Sequence, residues 1–387
     1  MKLPIFLRAL LAIFTLLFAS GPGYAANDIV VGSLQDLSGP IASLGLHFKN
    51  GTQMRIDEEN AKGGIHGRKL KFIVEDTGYN TGKAVAAAEK LIHRDHVFAT
   101  IHNLGSPIVM TTMPLFVEAG VLHLFPAAPL QDVYEPLHPL KFAMSPSYRV
   151  SVPPAARHLI KTLGVKRVGI LFQDDDYGQE VLRGMDSLLG DLKMGWCAKT
   201  SYKRGATDFS SQMARLKAAK CDFVLLATVV RETIGAYKEA KRIGWNVPML
   251  VTAAGYTAQI HQLGGTDMNL LYGVALVPHP YPEGASKPLQ EWIERYKKQY
   301  SQEPNTWSVM AYAGADLFVR ALQKAGPGAD ALEVSKALET TRTTRDYFGN
   351  PDFVLTPSDH LAIRRVHVAQ IRDGRWESAS DILPAEK

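Results

Sequence analysis

Short apolar runs alternate with longer amphipathic segments along most of the chain. Residues 29–35 form one such run, and in residues 44–60 the apolar side chains recur at the spacing of a helix. The alternation begins again after the proline-containing stretch MSPSYRVSVPP at residues 144–154. Strands and helices in turn are typical of right-handed crossovers on a parallel sheet that is covered on both faces. The pattern therefore predicts an α/β protein with two successive parallel sheets.

The individual elements can be placed along each series. In the first, strands are predicted at 29–35, 69–75, 97–101 and 121–125, with helices at 44–60, 81–94 and 108–119. In the second, helices are predicted at 154–163, 178–190, 209–219 and 232–243, with strands at 167–173, 196–202, 223–228 and 248–252.

The last third of the chain departs from this alternation. Three consecutive helices are predicted at 287–300, 307–325 and 329–340. Because the first sheet has too few helices to cover it, we expect the chain to cross back to it near Val277 and to leave it near Gly349. Residues 364–377 then have the pattern of a hairpin that turns at Asp373-Gly374. Two lobes are expected: residues 26–146 with 278–350, and residues 147–277 with 351–387.

The first 25 residues have the pattern of a secretory signal. Lys2 and Arg8 precede or flank an apolar segment, and Gly23-Tyr24-Ala25 is a small-residue cleavage site. The apolar segment is too short to favour a permanent membrane anchor. We therefore expect an exported protein of about 360 residues, cleaved near Ala25, a length that favours two domains.

Composition excludes several classes of function. The 43 basic and 38 acidic residues are interspersed without a block, so a nucleic-acid surface is not predicted. The sequence contains no GxSxG, Walker or helix-opening GxGxxG motif, and its 12 histidines lack metal-ligand spacing. An enzyme, a metal site and a bound cofactor are therefore not expected.

The two cysteines allow two interpretations. Cys197 and Cys221 each lie beside an apolar, strand-like run. In the oxidising compartment that an exported protein enters, they could form a disulfide. They could equally be two small buried apolar side chains. The sequence leaves both interpretations open.

Ligands of open parallel sheets bind beyond the carboxyl ends of the strands. The loops at those ends are 36–46, 102–107, 126–131, 174–178, 229–232 and 253–256. One of these loops contains Asp174, Asp175 and Asp176. A phosphoacceptor is not favoured in an exported protein, and a metal site would need further ligands. We expect one aspartate to cap the following helix and the others to face solvent.

Several stretches in order resemble one family. They are SLQDLSGPIASLG, GTQMRIDEENAKGGIHGRKLKFIVEDTGYN, HNLGSP, LFPAAP, ILFQDDDYGQEVLRGM, TDFSSQMARLKAAKCDFVLLAT and VLTPSDHLAIRRVHVAQIRDGRWE. Their order and spacing are similar to those of type I periplasmic solute-binding proteins of branched-chain amino acid (Leu/Ile/Val-binding-like) ABC uptake systems. The resemblance covers nearly the whole chain after the signal sequence.

The resemblance implies an architecture and a mode of action. Two Rossmann-like lobes with parallel sheets would be joined by three hinge crossovers, which we place near residues 145–147, 277–280 and 349–352. A small ligand would be trapped between the lobes by hinge closure and passed to the membrane permease of an ABC transporter. We expect a periplasmic, monomeric binding protein that is not an enzyme.

The resemblance also assigns contacts with the ligand to Leu44, Ser106, Ala127, Ala128, Tyr177 and Val229. The loops at the strand ends add Gly105 and Tyr256 as candidate contacts. Ser106 matches a serine whose hydroxyl and backbone amide bind a carboxylate, and Ala127 and Ala128 match a segment that contributes main-chain groups. Leu44 and Tyr177 would line the cleft from either lobe, and Val229 falls where many members carry an aromatic residue.

Two departures from the family pattern bear on the ligand. Pro129 replaces a common threonine that also holds the carboxylate, and Ala253 or Ala254 stands where amino-acid binders keep an acid for the ammonium group. A desolvated ammonium without that partner would cost several kcal/mol. His102, Arg231 and Tyr256 are candidates for replacement polar contacts.

These departures favour an aromatic or otherwise hydrophobic carboxylic acid as the ligand. The LGSP and QDDDYG stretches also resemble a branch of the family with such ligands. A branched-chain or other amino acid, and an exported ligand sensor that acts on a receptor, remain alternatives.

Overall fold

The computed structural model describes residues 28–343 and 346–385. The predicted signal sequence, residues 1–25, lies outside this part of the chain. Among the helices in the described ranges, none combines the length and the apolar character that crossing a membrane requires.

The described elements alternate as the pattern predicts. The first series contains β1 (Ile29–Gln35), α1 (Ala42–Ala61), β2 (Leu70–Asp76), α2 (Thr81–His93), β3 (Ala99–Ile101), α3 (Ser106–Glu118), β4 (Leu122–Leu124) and β5 (Lys141–Phe142). The second contains α4 (Tyr148–Leu163), β6 (Val168–Gln173), α5 (Asp176–Asp191), β7 (Trp196–Tyr202), α6 (Ser210–Ala218), β8 (Phe223–Ala227), α7 (Val230–Arg242), β9 (Met249–Val251), α8 (Gln259–Gly264) and β10 (Tyr272–Ala275). The last part contains α9 (Lys287–Tyr300), α10 (Thr306–Ala325), α11 (Ala331–Thr340), β11 (Arg342–Thr343), β12 (Phe353–Val354), β13 (Arg365–Arg372), β14 (Arg375–Ser378) and β15 (Leu383–Pro384).

The strands form two main sheets, which confirms the predicted α/β class. The first has the order β2-β1-β3-β4-β5 and is parallel throughout. The second has the order β14-β13-β10-β9-β8-β6-β7, with parallel pairing from β10 to β7. Its other edge is antiparallel because β13 and β14 form the predicted hairpin. The turn residues Asp373 and Gly374 both have positive φ, at 47° and 73°, as a tight hairpin turn requires.

One helix boundary differs from the prediction. Helix α4 begins at Tyr148, six residues before the predicted start at residue 154, and it contains Pro153 and Pro154. Prolines in a helix interior usually mark a boundary, because they lack the N–H donor. Here the first turns are held by burial, since Tyr148, Ser151 and Val152 are all in the core.

The three C-terminal helices pack where the first sheet needs cover. Trp292 of α9 and Val309 of α10 share an apolar cluster with Met54 of α1. An ion pair also joins α1 to α10, because Nε of Arg55 lies 2.8 Å from Oδ1 of Asp316. Helices α9 and α10 therefore associate with the first sheet through α1.

The third crossover between the two sheets was expected near Gly349. In the structure it lies later in the chain. The residues after β12 still contact β5: Ala143 and Leu361 form a parallel bridge, and the His360 ring stacks on Phe142 at 3.9 Å. The break in helical pattern at 348–357 therefore marks the small β11–β12 ladder, and not the crossing itself. The chain passes to the second sheet close to Arg364.

The structure joins Cys197 and Cys221 in a disulfide with a Cα–Cα distance of 5.8 Å. The bond links the start of β7 to the residues before β8, on either side of β6. The two cysteines are 24 residues apart in the sequence, and the bond lies near the β7 edge of the second sheet.

Replacing both cysteines with alanine should lower the free energy of unfolding by about 3 kcal/mol, because the crosslink restricts the unfolded chain. Urea denaturation followed by circular dichroism measures this change. A reducing agent should destabilise the wild-type protein and leave the double variant unaltered. A variant as stable as the wild type would contradict a structural role for the bond.

Candidate functional site

A cavity lies between the carboxyl edges of the two sheets. It is bounded by loops after β3, β4 and β5, by α1, α5 and α10, and by the start of α7. The empty space among these elements amounts to about 630 Å³. The site therefore has room for one small, compact molecule.

The lining of the cavity is aromatic and uncharged. Its rings belong to Phe48, Tyr79, Phe125, Tyr148, Tyr177 and Trp307, with the thioethers of Met144 and Met310 between them. Among the described residues that line it, none is an Asp, Glu, Lys or Arg. A ligand inside this cavity meets rings and hydroxyl groups, and no countercharge on a side chain.

In the first lobe, the loop after β1 places Leu44 in the wall of the cavity. The Asp36 carboxylate accepts hydrogen bonds from the backbone N–H of Gly39 at 2.5 Å and of Ile41 at 2.8 Å, which folds the loop tightly. Helix α1 then approaches so closely that a Cβ on Gly45 would lie 1.9 Å from the Asp36 carbonyl oxygen. Only glycine at position 45 allows this close approach of α1 to the loop. The approach in turn directs Leu44, the preceding residue, toward the cavity.

The second lobe repeats this arrangement after β6. Asp175 caps α5 by accepting from the Tyr177 N–H at 3.1 Å, while Asp174 and Asp176 are exposed, which confirms the expected roles of the three aspartates. A Cβ on Gly178 would lie 1.9 Å from the carbonyl oxygen of Gln173. Tyr177, directly before this glycine, lines the cavity.

Tyr177 is held rigidly. Its side chain is 2% exposed, and its hydroxyl lies 2.5 Å from Thr252 Oγ1 and 3.3 Å from the carbonyl oxygen of Thr228, to which it donates. The ring packs on Tyr148 with a centroid separation of 4.7 Å. Burial raises the pKa of Tyr177 well above its ordinary value, so the phenol stays neutral. The residue offers a ligand the surface of its ring.

Ser106 lies at the positive end of a helix. It is the first residue of α3, lines the cavity, and is 4% exposed. Within the described ranges, no protein group forms a hydrogen bond with its hydroxyl. The backbone N–H groups of Ser106 and Ile108 likewise have no protein acceptor there, as expected in a first helical turn. Such a terminus is suited to an anion.

Gly105 sets the approach to Ser106. Its φ is 101°, and a Cβ at this position would lie 2.4 Å from Cε2 of Tyr79. Glycine is therefore required both by backbone conformation and by the ring of Tyr79.

The main-chain groups of Ala127 are placed differently from expectation. Ala127 lines the cavity, but its N–H donates to Asn103 at 2.9 Å and its carbonyl accepts from the Gly105 N–H at 3.1 Å. Sheet-like pairing of the two loops thus uses both main-chain groups and leaves neither for a ligand. Ala128 does not line the cavity; its side chain packs with Val109 on the far side. No sequence pattern predicts that these two loops pair.

Besides Tyr177, two candidates in the second lobe reach the cavity. Val229, which precedes α7, and Ala254 both line it. Tyr256 does not, because its ring packs against Trp376 with a centroid distance of 5.1 Å. Arg231 is exposed on α7. These last two residues therefore do not replace a polar contact with the ligand in this structure.

His102 lines the cavity as a neutral ring. Thr52 Oγ1 donates to the Phe48 carbonyl at 2.8 Å, so it accepts from His102 Nδ1, which lies 2.9 Å away. The other nitrogen, Nε2, is then a buried acceptor without a protein partner in the described residues. Burial lowers the pKa of His102 to about 3. The residue has neither a charge nor a spare N–H for an anion.

Several residues of the cavity were missed by sequence reasoning. Tyr79 follows β2 and could have been found by the same strand-end rule that identified the other loops. Tyr148 follows β5, a two-residue strand too short to be recognised. Trp307 and Met310 lie on α10, and no strand end marks them. Among the described residues, no group of His, Cys, Asp or Glu could hold a metal ion.

Comparison with known proteins identifies the family. Leu/Ile/Val-binding protein homolog 7 from Brucella abortus is 26% identical over 343 residues, which cover 86% of each chain. A fatty acid ABC transporter substrate-binding protein from Thermomonospora curvata has a similar fold, with a TM-score of 0.83, 23% identity, and 95% of each chain covered. An ABC transporter solute-binding protein from R. palustris in complex with benzoate has a TM-score of 0.82 and 18% identity, over 93% of this chain and 97% of that one.

The family model described as periplasmic binding protein matches residues 28–375. This match covers most of the chain and both main sheets. The chain therefore belongs to the periplasmic binding protein family.

Proposed function

We propose that the protein is the substrate-binding component of an ABC uptake transporter and captures a small carboxylic acid with an aromatic or other hydrophobic body. The observation that carries this proposal is an uncharged, ring-lined cavity with the N-terminus of α3 at its wall. Binding takes place by closure of the two lobes, and the loaded protein is recognised by a membrane permease. The protein acts as a monomer in the periplasm and does not transform its ligand.

The carboxylate would bind to the first lobe at Ser106. The free hydroxyl and the unpaired amides of the first turn of α3 supply donors, and the helix end supplies a partial positive charge. Neutral donors of this kind can hold an anion without a basic side chain. Pro129 contributes no N–H, which leaves Ser106 as the main polar contact.

The body of the ligand would lie among the rings. Phe48, Phe125 and Trp307 offer apolar surface on one side, and Tyr177 closes from the second lobe. Ala254 places a methyl group where an ammonium group would need a carboxylate. The cost of burying an unpaired ammonium is several kcal/mol, which disfavours α-amino acids.

An amino acid remains the second candidate, because relatives are named for leucine, isoleucine and valine. Glu232 on α7 is 1% exposed, and its Oε2 atom has no hydrogen-bond partner in the described part of the chain. Burial raises the pKa of this carboxyl. Glu232 does not line the cavity, so it supports this candidate only if the ligand-bound form brings it closer.

The moving parts are the two sheets with their attached helices. We assign residues 28–144 and the segment from α9 to about residue 361 to the first lobe, and the remainder to the second. The crossovers near 145–147, 277–280 and 361–364 would be the hinges. A ligand that contacts both lobes would shift the population of the protein toward the closed conformation.

A thermal-shift series tests the ligand class. Benzoate and other aromatic or branched aliphatic carboxylates should raise the melting temperature, because binding to the folded state stabilises it by mass action. Leucine, isoleucine and valine should produce no shift. A large shift with leucine would favour the amino-acid candidate and contradict the assignment of Ala254.

Substituting Ser106 with alanine tests the carboxylate site. Affinity for benzoate should fall by about 1.5 to 3 kcal/mol, the scale for losing a hydrogen bond to a charged group. Isothermal titration calorimetry measures this loss, with the exposed Ser211→Ala on α6 as a matched control. Unchanged affinity in Ser106→Ala would remove the residue from the site.

A further inference from the structure

Tyr79 is a wall of the cavity in an unusual backbone conformation. It follows β2, lines the cavity, and has a φ of 57°, which residues other than glycine adopt rarely. Its N–H donates to Thr77 Oγ1 at 3.2 Å, and the Thr77 N–H donates to the Gln35 carbonyl at 2.7 Å. The loop is therefore anchored to β1 of the first sheet. Outliers of this kind are often maintained for function.

Two side chains from the second sheet hold this tyrosine. Gln173, the last residue of β6, donates from Nε2 to the Tyr79 hydroxyl at 3.0 Å. Arg204, after β7, donates from Nη1 to the Tyr79 carbonyl at 2.9 Å. Its guanidinium carbon also lies 5.2 Å from the centre of the Tyr79 ring, within the range of a cation–π interaction. The backbone carbonyl, the ring and the hydroxyl of Tyr79 are thus all contacted by side chains from the other side of the cleft.

A third residue orients both of these side chains. The Asp175 carboxylate accepts from Gln173 Nε2 at 2.7 Å and lies 3.5 Å from Arg204 Nε. Gln173 is 1% exposed, so its amide has little freedom to turn away. The acidic loop after β6 therefore does more than cap α5: it arranges two donors toward the opposite lobe.

We infer that Gln173, Asp175 and Arg204 form a latch that holds the cleft closed by gripping Tyr79. They are positioning residues, since none of them lines the cavity, whereas Tyr79 would contact the ligand. The inference rests on the lobe closure proposed above. Because Tyr79 belongs to both the cavity wall and the latch, a ligand that packs against its ring also favours the geometry in which the latch forms.

The latch acts on the release of the ligand. Opening the lobes must break the contacts of Tyr79 with Gln173 and Arg204, whereas the ligand enters before these contacts form. Losing part of the latch should therefore raise the dissociation rate and leave the association rate nearly unchanged. A folding defect would lower the amount of binding-competent protein without raising the dissociation rate. A defect in the carboxylate site would also raise the dissociation rate, so the rates are interpreted together with hydrogen exchange around Tyr79.

Arg204→Ala tests the inference with benzoate as the probe. The dissociation rate in stopped-flow experiments should rise about tenfold, as expected for the loss of a charge-assisted hydrogen bond. Arg204→Lys should restore part of the difference, because it keeps the charge and one donor. Lys203→Ala is the matched control: it removes a positive charge from the neighbouring exposed residue and should behave like the wild type.

A second readout does not need a ligand. The latch also forms transiently in free protein, so hydrogen exchange of the backbone at residues 77–83 should be faster in Arg204→Ala than in the Lys203→Ala control. If wild-type protein fails to bind benzoate, the ligand class is wrong and the exchange rates alone decide about the latch. Benzoate binding with unchanged dissociation in Arg204→Ala would overturn the latch while leaving the proposed function intact.

Discussion

The direction of the parallel strands determines the position of the candidate ligand site. In both sheets the parallel strands end at the edge that faces the other sheet, so the helices that follow them begin there. Unpaired N–H groups and the positive ends of helix dipoles are thereby collected around one cavity. The Ser106 end of α3 is the clearest case, because it lacks side-chain capping. An anion can thus be bound in a cavity without basic side chains.

The absence of charge along the lining gives this arrangement its selectivity. Asp175 and Arg204, two charged residues near the cleft, are engaged with each other and with neutral partners. Within the lining, rings and methyl groups exclude water, and electrostatic interactions of a bound carboxylate with helix-end amides become stronger. The same exclusion makes an unpaired ammonium costly. Under the proposed function, the cavity would therefore favour an apolar acid over a zwitterion.

Long elements with strong periodicity were predictable from sequence, and contacts between loops were not. Helix α9 and the hairpin at Asp373 follow the predicted limits, because local pattern and turn chemistry determine them. The predicted start of α4 was wrong because burial of the first turns outweighs the effect of the prolines. The predicted position of the third crossover was wrong because the sequence of the short β11–β12 ladder resembles that of a linker. Tyr256 was a candidate because of its loop, and the main-chain groups of Ala127 because of their family position. Side-chain packing directs Tyr256 elsewhere, and loop pairing uses the main-chain groups of Ala127.

The central claim is that two lobes close around a small acid. Small-angle X-ray scattering of the wild-type protein, with and without saturating benzoate, measures this closure most directly. The account predicts a smaller radius of gyration and a narrower distance distribution with benzoate. Identical scattering curves in a sample whose binding is verified by calorimetry would contradict closure as the mechanism of capture.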